Sequence, residues 1–402
     1  MNKKPELMAP AGDWIMLKVA INAGANAIYF GLKELNMRAE AENFKISELD
    51  QIVGECHKNK VKAYLTLNTI IYETEIVKVK EILIKAKKAK IDAIIAWDFA
   101  IIKEAKKLKL NVFLSTQASV ANSEAVEEYK KLGIKRIVLA RECSLDQIKK
   151  IKSKTKLQVE VFIHGAMCVS LSGRCFMSHH LFGKSANRGE CLQPCRRQYL
   201  IKDAEEPNEL ILGKDYVMSP KDLCTINFID KIIETKADAF KIEGRKRSAE
   251  YVYTVVSAYR KAIDLYFKKK LNLKIKDDLS SELEKVYNRG FSSGFYFRKP
   301  SGNDFIDVHG SKATERKVYV GKVLNFYNKI KVAAIKIYAA ELKLGDEILV
   351  QGKTTGVIKQ ELKSMEVENK KIKSAKKGKI VAIKLDKIAR INDSVYKIKK
   401  VK

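Results

Sequence analysis

The chain has 402 residues, 46% of them hydrophobic, with 78 lysines and arginines against 48 aspartates and glutamates, a net charge of +30. That is too much for one small domain and implies packed cores in two or three. No run of about 18 uninterrupted apolar residues occurs, which argues against a membrane span, and the basic start MNKKPELMAPAG lacks the apolar core of a secretion signal. A reducing, cytoplasmic compartment is expected, where clustered cysteines are more often metal ligands or catalytic groups than disulfides. Part of the positive charge reflects a background rich in lysine and isoleucine, but its size favours a polyanionic partner, RNA or DNA.

Strands are expected at Leu7–Pro10, Ala27–Phe30, Lys62–Leu67, Ala93–Trp97, Val112–Ser115, Arg136–Ala140, Val159–Ile163 and Ala239–Ile242. Amphipathic helices fall between them, among them SELDQIVGECHKNK, capped by Ser47, IVKVKEILIKAKKAK, and SEAVEEYKKLG, closed by Gly133. Eight such beats predict an α/β fold closed as a TIM-like (β/α)8 barrel, with an open doubly wound sheet as the alternative. Chemistry in such a barrel sits at the C-terminal strand ends. Polar residues or glycine stand just past them, including Asp13, Gly31, Asn68, Asp98, Gln117, Arg141, His164, Glu243 and Arg245.

A long Cys-rich insertion, placed at 164–216 within a catalytic domain of residues 1–270, follows the seventh strand. Cys168, Cys175, Cys191 and Cys195 lie in it at intervals of six, fifteen and three residues. Four thiolates on one loop can hold zinc or an iron–sulfur cluster, and a structural disulfide pair is the alternative. Helices are expected at Ala249–Phe267 and Leu279–Asn288. The segment 271–312 reads as a helical segment and linker, and within it RGFSSGFYFRKPSGNDF reads as a linker and docking strap. Short strands with Gly and Asp turns then predict a small all-β barrel over 313–402. This module holds 23 basic and nine acidic residues, net +14. It suits RNA phosphates, with a merely solvated lysine surface as the alternative.

Several segments resemble one family. EVFIHGAMCVSLSGRC (Glu160–Cys175) is similar to the signature of the collagenase-like peptidase family U32, and PELMAPAGDW, FKIEGRKRSAEYV and NRGFSSGFYF are similar to further family segments. The resemblance covers most of the chain. It is closest to members that hydroxylate the wobble uridine of tRNA to 5-hydroxyuridine; others hydroxylate a cytidine of 23S rRNA or act in ubiquinone hydroxylation. It implies a 4Fe-4S cluster held by Cys168, Cys175, Cys191 and Cys195, with Cys224 as an alternative to Cys195. It also implies prephenate as co-substrate, an electron donor, and no dioxygen. The closing pair Cys191 and Cys195 favours the RNA branch. The chain is shorter than the tRNA enzymes between Tyr199 and Tyr216.

Prephenate carries two carboxylates, which arginine forks would hold. Arg38, Arg141, Arg174 and Arg245 are the candidates. Glu243 and Arg245, in IEGR, serve either catalysis or a structural ion pair, and His164 either moves a proton or makes a supporting hydrogen bond. Asp13, Asn68 and Gln117 are candidate substrate contacts. Gly165 and Gly173 would let backbone approach the cluster. Tyr29, Trp97 and Phe176 are candidates for stacking an everted base. Cys56 and Cys143 read as core. The rival readings are a peptidase, for which GFSSG around Ser292 formally resembles a nucleophile elbow, and a non-enzymatic RNA-binding factor with a metal-stapled loop.

Overall fold

The computed structural model describes residues 3–171, 174–199, 205, 218–306 and 310–401. Seven strands run in chain order, β1 (Glu6–Ala11), β2 (Ala27–Gly31), β3 (Lys62–Thr66), β4 (Ala93–Ala96), β5 (Val112–Leu114), β6 (Arg136–Val138) and β7 (Gln158–Gly165). Each pairs in parallel with the next. Strand β8 (Asp222–Cys224) is different: it runs antiparallel to the end of β7, outside the ring. The ring closes through β9 (Ala239–Ile242), which pairs in parallel with both β7 and β1. The barrel is therefore the expected eight-stranded parallel one, with its eighth strand supplied by β9.

Alternation along the strands splits the interior into two layers. Met8, Ala27, Tyr29, Tyr64, Ala93, Ile95 and Phe113 form one buried cluster in the lumen. Their neighbours, such as Leu7, Ile28, Phe30, Leu65 and Ile94, pack outward beneath the helices. Those helices are α1 (Trp14–Asn22), α2 (Leu49–Lys58), α3 (Ile76–Lys88), α4 (Phe99–Lys107), α5 (Ser123–Lys131) and α6 (Leu145–Lys154), then a short α7 (Met177–Phe182) in the insertion, α8 (Ile229–Glu234), α9 (Ala249–Phe267) and α10 (Leu273–Glu284). Helix α9 has the expected bounds. Helix α10 begins six residues before the expected start, because Asn272 caps it by accepting from the Ile275 N–H at 2.9 Å. Ser47 caps nothing; it lies inside a 3-10 turn that leads into α2.

The expected strap docks on the barrel. Strand β10 (Phe291–Ser292) pairs with β8, and the buried Tyr296 hydroxyl donates to the Phe162 carbonyl. Beyond it lie β11 (Glu315–Tyr327), β12 (Val332–Ile337), β13 (Leu342–Lys343), β14 (Glu347–Gly352), β15 (Gly356–Glu361), β16 (Glu366–Val367), β17 (Lys370–Lys371), β18 (Ser374–Ala375), β19 (Ile380–Lys384) and β20 (Ser394–Lys400). Eight of these make one antiparallel sheet, ordered β15-β14-β20-β11-β12-β19-β16-β17, and β13 pairs with β18. The module has its own core around Val320, Ile335, Ile348 and Val381. It seats β15 on α1 and α9, where Lys317 bonds Glu250 at 2.9 Å.

Candidate active site

The C-terminal strand ends surround one cavity, and Arg38, Asn68, Gln117, Arg141, Cys168, Glu243 and Arg245 all line it. Glu243 stands just past β9. Its Oε1 accepts from Arg38 Nε at 3.2 Å, and its Oε2 lies 4.0 Å from Arg141. Burial pushes this carboxyl up, but Arg38, Arg141, Arg245 and Lys241 outweigh burial and hold it at about 2. A carboxylate held so low takes up no proton at neutral pH. Glu243 is therefore ionised and paired with the arginines around it.

Arg245 is buried and donates to Asn36 Oδ1 at 3.0 Å and Thr66 Oγ1 at 2.9 Å. Burial draws its guanidinium down to about 10, still protonated at neutral pH. Arg141 donates to the Ala166 carbonyl at 2.8 Å and lies 4.0 Å from the Phe162 ring centre. The Nε–H groups of both Arg141 and Arg245 are buried without a partner. Buried donors are rarely left so. With Lys241, the lining presents four cations and one carboxylate. The amides opposite are tied together: Gln117 Nε2 donates to the Asn68 carbonyl at 3.0 Å, Asn68 Nδ2 donates to Ser115 Oγ at 3.3 Å, and Ser115 donates to Gln117 Oε1.

Three expected site residues lie elsewhere. His164 is buried outside the cavity, its Nδ1 3.3 Å from the Tyr259 hydroxyl and its ring among Tyr251, Tyr259 and Phe291. A bulge between Phe162 and His164 pairs His164 with Ile242 instead of Glu243, and a one-residue slip reverses the face a side chain takes. Burial pulls its pKa down to about 4, so it is neutral and supports packing. Asp13 is the N-cap of α1, accepting from the Met16 N–H at 2.7 Å. Arg174 lies 5.1 Å from the Trp97 ring centre, in a neighbouring pocket.

The insertion is fastened to this rim. Arg188 reaches Glu75 in a two-pronged pair and the Ile70 carbonyl. Gly189, at φ +92°, brings its backbone so close that an added Cβ would stand 2.2 Å from the Asn36 carbonyl oxygen. Gly165, at φ +112°, likewise leaves no room for a side chain, since a Cβ would meet the Glu243 carbonyl oxygen at 2.5 Å. Gly173 lies outside the described residues. Arg196 holds Ser219 Oγ at 3.0 Å, the Pro220 carbonyl at 2.8 Å and the Met167 carbonyl, pinning the Cys195 turn to the segment before Cys168.

All seven cysteines are free thiols. Burial pushes Cys195 up; Arg196 opposes it, and the charges of Cys168 and Cys191 add to it. Arg38 in turn is raised by Glu243 and, more weakly, by Cys168 and Cys191. Of the four insertion thiols, Cys168 alone lines the cavity. The Cys175 N–H donates to Asn187 Oδ1 at 3.1 Å. Cys224 is instead buried 3.8 Å from the Tyr259 hydroxyl and pushed up to about 11 by burial. Cys56 and Cys143 are core residues. Among the described residues, no three cysteine, histidine, aspartate or glutamate side chains are gathered at metal-binding distance. The donor set, four soft thiols beside cations, suits iron–sulfur or zinc chemistry.

The family model of Peptidase family U32 matches residues 12–305. The chain belongs to peptidase family U32. Among its relatives, an uncharacterized protease of Methanocaldococcus jannaschii is 45% identical over 403 residues, covering 98% of each chain. A collagenase of Porphyromonas gingivalis is 40% identical, again covering 98% of each. The tRNA hydroxylation protein P1 of Bacillus subtilis is 38% identical, covering 87% of this chain and 83% of that one. U32 membership therefore spans both protease and RNA-hydroxylation names.

Sequence reasoning about this U32 chain passed over Lys241, Thr66 and Ser115, which also line the cavity. Lys241 was detectable. In AFKIEGR the charged residues occupy every second position, and Phe240 and Ile242 are buried on the opposite face. Thr66 and Ser115 carry no comparable signal, because small hydroxyl residues are ordinary at strand ends.

Proposed function

We propose that this protein hydroxylates RNA, most specifically a tRNA wobble uridine, using a 4Fe-4S cluster and prephenate. The carrying observation is the cationic cavity at the barrel mouth, with Cys168 in its wall and two arginine Nε–H donors still unmatched. The relationship to a tRNA hydroxylation protein supports the same reading. Cys168, Cys175, Cys191 and Cys195 would hold the cluster, which when bound supplies one-electron redox chemistry. Arg38, Arg141 and Arg245 would receive the two carboxylates, each charge-assisted pair contributing roughly 1.5–3 kcal/mol. Glu243 keeps these guanidiniums positioned before the acid arrives. Lysines of residues 313–402 would grip phosphates and make binding fall with salt. Forming C5–OH from C5–H takes two electrons from the uridine, so without dioxygen these would pass to prephenate or to another acceptor, and an electron donor would serve only to reduce the cluster.

A peptidase reading gains no support at Ser292. It lies in the two-residue strand β10, and its Oγ accepts from the Gly294 N–H at 3.3 Å, a turn contact in place of a base. The test is mass spectrometry of nucleosides from a deletion strain. Hydroxyuridine should vanish from tRNA, return with the wild-type gene, and stay absent with Cys191→Ser. Unchanged hydroxyuridine in the deletion strain rejects the tRNA assignment, and loss of hydroxycytidine from 23S rRNA would move the substrate there. Protein purified without air should be brown, with ~four irons and ~four sulfides per chain.

A further inference from the structure

Beside the cationic cavity lies a second pocket of about 290 Å³. Trp97 and Arg174 form part of its wall, and Phe176 stands at its edge with 76% of its surface exposed. Met37 and Gln117 line both pockets, so a single partition separates them. Each pocket also borders the cysteine insertion: Cys168 lines the inner one, and Asn187 in the outer one holds the Cys175 backbone. The two differ in character. The inner cavity is cationic and small, about 50 Å³, with room for little beyond polar head groups. The outer pocket is aromatic, carries one exposed arginine and opens to the surface.

A scattered exposed phenylalanine needs no explanation. Phe176 is not scattered; it shares a concave site with a tryptophan and an arginine, the combination that takes flat rings. The size lies at the lower edge of small-molecule pockets, roughly 300 Å³, and suits one ring system.

We propose that this outer pocket receives a single everted pyrimidine of RNA, stacked against Trp97 and Phe176, while the inner cavity holds the carboxylates of the small acid. The assignment rests on the RNA-hydroxylation reading and adds where the base goes. Eversion costs a few kcal/mol, and base–aromatic stacking returns roughly 1–3 kcal/mol per base. Arg174 adds a cation at the ring or phosphate. The strongly basic chain favours an RNA occupant over the ring of the acid.

The chain has two tryptophans, and the other, Trp14, is held apart by a 2.6 Å bond to Glu48. In Trp14→Phe holoprotein, fluorescence therefore reports Trp97 alone. A short single-stranded oligouridylate, titrated with and without prephenate, should quench it saturably, and an abasic oligomer of equal length should not. Phe176→Ala should weaken the oligouridylate ~10-fold or more, and Phe176→Tyr should restore it. Equal quenching by the abasic oligomer, quenching by prephenate with none by oligouridylate, or an unaltered affinity in Phe176→Ala each overturns the assignment. Phe176→Ala in the deletion strain separates the two ideas. If that variant restores full hydroxyuridine, the pocket assignment alone falls; if the deletion strain never lost it, the tRNA reading falls.

Discussion

At the floor of the barrel Arg136 bonds Glu6 at 2.7 Å and Glu160 at 3.2 Å, and Lys241 bonds Glu160 at 3.0 Å. At the mouth, Arg38, Arg141 and Arg245 share the single carboxylate of Glu243. Both clusters are deeply buried and both are rich in arginine. The floor is closed: Glu6 and Glu160 are bonded by Arg136, Lys241 and the exposed Lys62, and the Arg136 guanidinium also lies 4.2 Å from the Phe113 ring centre. The mouth has cations in excess and two donors unmatched. The two clusters differ in pairing more than in burial. Lys241 joins the two, lining the cavity while its ammonium is given to Glu160.

Breaking the floor should have the largest effect. Arg136→Met leaves Glu160, which has no exposed surface, short of a partner, and removing one member of a buried pair costs about 3–5 kcal/mol. The denaturant midpoint should drop accordingly. Adding Glu160→Gln should recover part of the loss, since the uncompensated charge goes too. A floor that tolerates Arg136→Met would mean that its ion pairs are as dispensable as surface ones.

His164 belongs with the floor in this comparison, since it supports the fold without touching the cavity. Burial holds its folded pKa at about 4, below the ordinary imidazole value of about 6.5. The unfolded chain therefore binds the proton first, and stability present above about pH 6.5 is lost as pH falls towards 4. The shift corresponds to about 3 kcal/mol. Urea midpoints measured across this window should fall steeply for the wild type and much less for His164→Phe, which keeps the ring among Tyr251, Tyr259 and Phe291. Equal slopes would return His164 to the list of solvent-reached groups.

The same contrast explains what could be read in advance. The eight barrel strands were legible because each is a short buried run set between amphipathic helices. Arg141 and Arg245 were legible because they stand just past strand ends, whereas Arg38, well beyond the end of β2, was named only as a candidate carboxylate fork. His164 stands there too, but a bulge that depends on the β7–β9 pairing reverses its side, and no local pattern announces it. Asp13 is ambiguous for another reason: a carboxylate between a strand and a helix suits a ligand and an N-cap equally. The intervals between the cysteines show that one loop carries them. Arg196 draws the Cys195 turn towards Met167, and Cys224 is buried beside Tyr259; no local pattern announces either placement.

The sharpest test of the mouth is Arg38→Ala. Arg38 is the most removable of the three arginines, with 26% of its side chain exposed and its contacts limited to Glu243, the Met37 carbonyl and weaker charges. Arg141, 4.0 Å away, and Arg245 still offset the Glu243 charge, and the partly exposed position of Arg38 lets water take its place, so the denaturant midpoint should fall by less than in Arg136→Met. Calorimetric affinity for prephenate should nevertheless fall by roughly 10- to 100-fold, the loss of one charge-assisted pair. Arg136→Met should show the reverse pattern, a large loss of stability with the affinity of the folded fraction kept. A large midpoint loss in Arg38→Ala without a change in affinity would make the mouth a second structural network, and the distinction drawn from its unmatched donors would fail.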